Sequence, residues 1–197
     1  MSIFDLALQL FLITNPIGNS PAILTLVKNF SFTDQKRIMM RETFFALALA
    51  LFFQFVGEPF LDALGIKDYA LSMCGGVLIL LAGLGMIFPH HENDAPKDEG
   101  MTREPYIVPI ATPLLSGAGL LTYIMIYSKK LDNPLEMTAA ILVCWVGVFA
   151  VMGAAPYLMR AFGKRGMYAM EQLMGLVLSM IAVEMIVKGA GLFIKGL

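Results

Sequence analysis

Asn15-Pro16-Ile17-Gly18-Asn19-Ser20-Pro21 interrupts the first apolar stretch of the chain with two prolines and a glycine. Each proline removes a backbone donor, and lipid offers no replacement hydrogen bonds, so the freed groups must face protein, a cavity or a ligand. A second segment of the same character, Pro113-Leu114-Leu115-Ser116-Gly117-Ala118-Gly119, lies in the fourth apolar stretch. Together they predict two broken helices within a membrane.

Composition sets the class. The 197 residues are 58% hydrophobic and 15% charged, with a mean hydropathy of +0.74, which is too apolar for a soluble domain. The fold expected is all-α, a single polytopic membrane domain over residues 1–197 with the lipid bilayer as its surroundings. A net charge of -1 gives no grounds for a nucleic-acid partner. Cys74 and Cys144 fall in apolar runs and read as small hydrophobes. Met-Ser-Ile-Phe-Asp at the start has no basic region or small-residue cleavage site, so the first span is expected to remain in the mature protein.

Six apolar runs, near 3–27, 39–57, 69–88, 106–128, 137–159 and 172–194, are each long enough for a hydrocarbon core of about 30 Å at about 1.5 Å per residue. The first, third and fifth loops hold nine Lys and Arg residues against five on the opposite side, which places those loops in the cytoplasm and both termini outside. Arg41 and Glu42 are expected at the membrane edge, as anchors of the second span. The polar loop 89–105 carries His90, His91, Glu92, Asp94, Asp98 and Glu99 without the fixed spacing of a metal site, and reads as a solvated linker.

The stretches on either side of that loop, about 1–88 and 106–197, read as repeats. Gly76 to Ile87 aligns with Gly175 to Ile186 so that Gly, Met and Ile coincide without a gap; Pro16 precedes Gly76 by 60 residues and Pro113 precedes Gly175 by 62. Repeats of three spans insert with opposite topology. Three plus three inverted, each led by a discontinuous helix, is a secondary-transporter plan.

The chemistry of the breaks suits a small zwitterion, because half-helix N-termini favour a carboxylate and freed carbonyls favour an ammonium or a small cation. Asn15 and Asn19 add amides, Thr112 and Ser116 add hydroxyls, and Gly18, Gly117 and Gly119 keep the wall thin, while Pro16 and Pro113 hold the helices open. The bland alternative is that these residues kink helices for packing. Glu184, about halfway along the sixth span with Lys188 four residues on, is either a structural ion pair or a coupling carboxylate for a proton or sodium. No Ser-His pair, central paired aspartates, His-Glu-x-x-His, Walker or Cys-x-x-Cys pattern is present, so no enzyme, metal or organic cofactor is expected.

These motifs in order, with Arg41-Glu42, Gly75-Gly76, Ile107-Val108-Pro109-Ile110-Ala111-Thr112 ahead of the second break, and Leu173-Met174-Gly175-Leu176, resemble the MarC family of bacterial inner-membrane proteins over nearly the whole chain, closest to its YhgN-like branch. That resemblance implies six spans, an inner-membrane location and kinship with SnatA-type transporters of small neutral amino acids such as glycine and alanine. The family's paired motifs fall on Asn15, Pro16, Gly18, Asn19, Pro113, Ser116 and Gly117; Ala118 and Glu184 depart from its usual pattern. The expected function is a secondary transporter of that substrate class working by alternating access. A passive channel for small solutes and a non-transporting accessory membrane protein are the alternatives, and no motif assigns an oligomeric state.

Overall fold

The computed structural model describes residues 2–88, 110–131 and 133–195, and of Glu58, Thr112 and Pro113 the backbone alone. The linker 89–105 with its histidines and acids, and the first residues of the fourth expected span, lie outside them. The described residues fold as α1 (Ile3–Thr14), α2 (Pro16–Leu26), α3 (Phe32–Ala63), α4 (Asp68–Ile87), a π-helical segment π1 (Ile110–Leu115), α5 (Ala118–Ser128) and α6 (Pro134–Lys195). Among them there is no strand.

Local chemistry sets these boundaries. A capping box opens α1, in which Ser2 Oγ accepts from the Phe4 N–H and Asp5 Oδ2 accepts from the Ser2 N–H at 3.1 Å. Ser31 opens α3 by accepting from the Asp34 N–H at 3.2 Å. Gly163 divides α6 into limbs 134–162 and 164–195, at φ 64° and ψ 178°, a conformation open essentially to glycine alone.

Among the described residues, three helices suffice by length and apolar composition to cross a membrane: Phe32–Gly57 within α3, Asp68–Ile87 and Pro134–Lys195. With 12 and 11 residues, α1 and α2 reach only about 18 and 17 Å at 1.5 Å per residue, so neither crosses alone. The expected second span, 39–57, is the middle of a helix that already begins at Phe32. Ser31 caps the helix well before Arg41 and Glu42, and the Glu42 side chain is 0% exposed within the protein.

Large apolar side chains cover the outside of the molecule as well as its core. Phe44, Phe52, Phe55, Leu81, Val146, Leu173, Met180 and Val187 face outward, whereas Asn15, Asn19, Glu42, Gln54, Ser72, Ser116 and Thr122 are buried. Such a surface suits hydrocarbon, and several of the interior polar groups bond across helices. Trp145 Nε1 donates to the Thr43 carbonyl at 3.0 Å, and Gln54 Nε2 donates to the Pro134 carbonyl at 2.9 Å and to Thr138 Oγ1 at 2.8 Å, so α3 lies antiparallel to the first limb of α6. Ser72 Oγ donates to the Met185 carbonyl at 2.9 Å, binding α4 to the second limb.

Close backbone approach fixes that last pairing. A Cβ on Gly83 would stand 2.8 Å from the Gly175 carbonyl oxygen, and a Cβ on Gly175 would stand 2.8 Å from that of Gly83. Neither contact admits a side chain without the helices parting. Gly175→Leu and Gly83→Leu are each expected to destabilise the fold by about 1–3 kcal/mol, as overpacked sites do. Thermal unfolding in detergent checks this, with Gly85→Leu, whose added carbon meets open space, expected to melt near the wild type.

Candidate functional site

The first break is one residue wide. Asn15 takes the left-handed conformation at φ 48° and ψ 52°, the one non-glycine residue with positive φ among the described residues, and serves as C-cap of α1 and N-cap of α2. Asparagine tolerates this region because its short amide bonds locally. Its N–H donates to the Phe11 carbonyl at 2.9 Å and its Oδ1 accepts from the Gly18 N–H at 3.1 Å. Pro16 follows at the first helical position, where its missing N–H is harmless. The unwinding expected over Asn15 to Pro21 is therefore confined to Asn15, and helix α2 continues through Pro21.

The second break has a different form. Ile110 to Leu115 wind as a π-helix, in which the Ser116 N–H donates to the Ala111 carbonyl at 2.8 Å, and α5 restarts behind Gly117. Ser116 Oγ donates to the Ala46 carbonyl of α3 at 2.7 Å. Gly117 caps α5 and has no side chain to accept from the first N–H groups of this helix. Here too the expected unwinding is narrower than Pro113 to Gly119, with helix on both sides of Ser116 and Gly117.

One side chain joins the two. Asn19 Nδ2 donates to the Thr14 carbonyl at 3.0 Å, at the end of α1, and to the Leu114 carbonyl at 2.6 Å, within π1. Both breaks thus meet at a single buried amide. Both helix starts pack closely: a Cβ on Gly18 would lie 2.5 Å from Asn15 Nδ2, and one on Gly119 would lie 2.3 Å from Ile79 Cγ1. Asn15, Gly18, Asn19 and Ser116 are brought together in this region, with Pro16 and Gly117 at the two helix starts. Thr112 and Pro113 belong to π1 by backbone, and their side chains lie outside the described residues.

Glu184 stands apart. Its side chain is 66% exposed and accepts from Lys188 Nζ at 2.8 Å, on the outer face of α6. Hydropathy placed it centrally along the span, but only the helix face decides whether a central residue looks inward. Among the described residues no cluster of three or more His, Cys, Asp or Glu could hold a metal ion.

A cavity of about 890 Å³ opens beside the first break, with Lys28, Arg160, Lys164 and Glu171 among its lining and Pro21 and Met86 on its wall. Met86 Sδ also accepts from Asn15 Nδ2 at 3.1 Å, so the thioether has the cavity on one side and the break on the other. Arg160 lies over the Phe32 ring, 4.2 Å from its centroid. Sequence reasoning missed this vestibule because Met86 is an ordinary apolar residue by composition.

Residues 1–194 match the MarC family integral membrane proteins. Among curated relatives, the UPF0056 inner membrane protein YhgN of Escherichia coli K12 is 34% identical over 198 residues, covering 98% of each chain. A UPF0056 membrane protein of Buchnera aphidicola from Schizaphis graminum is 32% identical over 98% of each chain, and one of Chlamydia trachomatis serovar D is 30% identical over 95% of this chain and 92% of its own. No solved structure matches the chain.

Removing the bridging amide leaves two buried carbonyls without their donor. Asn19→Ala is expected to cost about 1–3 kcal/mol for each carbonyl that water cannot reach, read as a lower melting temperature. Asn15→Gly, which keeps the left-handed backbone, should be milder than Asn15→Ala, which does not.

Proposed function

The chain belongs to the MarC family of integral membrane proteins, and from that premise we propose that it is a secondary transporter moving small neutral amino acids, of the glycine and alanine class, across the inner membrane by alternating access. The observation that carries this is the Asn19 amide, held by the end carbonyl of α1 and a carbonyl of π1 at once. An amino acid's ammonium is a donor of the same kind. By displacing Asn19 it would take the Thr14 and Leu114 carbonyls, while its carboxylate takes the N–H groups at the start of α5, which have no side-chain cap. Gly18 and Gly119, which add no side chain at the two helix starts, are the positions against which a small substrate side chain would rest.

On this account the chain crosses the bilayer six times. α1 with α2 forms the first crossing, π1 with α5 the fourth, and the limbs of α6 the fifth and sixth, with α3 and α4 between, as two inverted three-span repeats. Lys28, Arg160 and Lys164 at the vestibule mouth belong to the loops richer in Lys and Arg, so the vestibule opens to the cytoplasm and both termini lie outside. Substrate passes from the vestibule by displacement of Met86 from Asn15, and rocking of one repeat against the other opens the opposite side.

Radiolabelled glycine and alanine uptake into liposomes holding purified protein tests this directly. The wild type is expected to accumulate substrate under an imposed proton or sodium gradient, with saturation. Asn15→Ala and Gly117→Leu are expected to lose this flux with normal membrane expression. Uptake without accumulation or saturation would favour a passive channel, and full retention in both variants would favour a non-transporting role.

A further inference from the structure

We infer that Glu42 is a proton-binding site of this protein, set one helical turn from the second break; its coupling role rests on the transport function proposed above. Glu42 is the eleventh residue of α3, about 16 Å from the start of that helix at 1.5 Å per residue, and its side chain is 0% exposed. Its Oε1 accepts from Arg41 Nε at 3.1 Å and Nη2 at 3.0 Å. Its Oε2 is buried and has no hydrogen-bond partner among the described residues. A buried anionic oxygen without a donor is among the costliest states a side-chain atom can hold. A proton on Oε2 removes the charge and turns that oxygen into a donor.

The surroundings say why a proton suits better than a larger cation. Sodium needs several oxygens converging on it. On this stretch of α3 the Ala46 carbonyl already accepts from Ser116 Oγ and the Thr43 carbonyl from Trp145 Nε1, and the Thr43 hydroxyl donates to the Met39 carbonyl at 2.7 Å. A proton needs one lone pair, and Oε2 has it. Ionisable groups on the packed elements are few: π1 contributes none, the facing part of α6 around Trp145 offers the Cys144 thiol, and α5 brings Tyr123 and Tyr127 at the far level where Tyr123 bonds Gln9. Arg41, on the same helix, is partly exposed and keeps its charge when Glu42 loses its own.

The link to the breaks is the register of α3. Residues 42 and 46 share a face, four apart, and Ala46 is the residue that Ser116 grips. Charging or neutralising Glu42 therefore changes the helix surface on which the second break rests. One proton taken up at Oε2 on one side of the membrane and released on the other balances the cycle. Glu184, exposed and paired with Lys188, has no such unmet oxygen among the described residues.

Infrared difference spectra of the protein in vesicles, taken across a pH titration, test the site without reference to any substrate. The expected result is one component of the carboxylic-acid C=O band, resolved as the difference between wild type and Glu42→Gln, that grows as pH falls and is replaced by a component of displaced midpoint in Glu42→Asp. Wild-type and Glu42→Gln spectra that superimpose across the titration, or the same component lost in Glu184→Gln instead, overturn the assignment. Should Glu42→Gln fail to fold, an unmoved midpoint in Glu42→Asp overturns it equally. Uptake then separates the two claims. Loss of proton-driven alanine accumulation in Glu42→Gln supports coupling at this residue, and wild-type accumulation driven by sodium alone contradicts it. A wild type with no glycine or alanine flux whose band component is still lost in Glu42→Gln supports the proton site while the substrate class fails.

Discussion

A peptide group inside a bilayer must find its hydrogen bond within the protein, and at two places here the helical ladder does not provide it. Asn15 and Pro16 end one helix and begin another, and Ser116 and Gly117 do the same after a π turn. Carbonyls freed at both places are gathered by one amide, Asn19, so the two halves of the chain share a polar joint in an otherwise apolar interior. The joint is made of donors and acceptors that a small solute can replace one for one. Without it carbonyls at both breaks would lack this donor; with it, the two breaks are joined.

Around this joint the packing divides into rigid and movable parts. Gly83 and Gly175 bring α4 and the second limb of α6 into backbone contact, with Ser72 and Met185 bonded nearby, which leaves little freedom between those helices. The contact between Asn15 and Met86 is weaker. A thioether is a poor acceptor and a flexible side chain, and it stands between a sizeable polar-mouthed cavity and the first break. Turning the thioether away breaks one weak hydrogen bond, while the Met86 Cβ stays packed against Gly175. Arg160, stacked over Phe32, is held at the cavity lining by that ring.

Much of this was legible in the sequence. Prolines and glycines inside apolar runs have few explanations in lipid, so Asn15, Pro16, Ser116 and Gly117 marked the breaks, and the apolar composition marked an all-helical membrane protein. The extent of unwinding was not legible, because Pro16 at a helix start and Pro21 within one look alike in a one-dimensional string. Charges misled for the same reason. Hydropathy windows average over all faces of a helix, so they gave no sign that the Glu42 side chain is buried or that the turn of α6 carries Glu184 outward. Met86 gave no signal, since its role comes from where α4 ends relative to Asn15.

The central claim is that the two breaks make one substrate site through Asn19. Solid-state NMR of the asparagine side-chain amides in bilayers, recorded as glycine is titrated in, observes that amide itself. The account predicts that the Asn19 resonance moves with saturation as its bonds to the Thr14 and Leu114 carbonyls are exchanged, and that alanine reproduces the shift. An Asn19 resonance that stays in place while glycine is transported would contradict it.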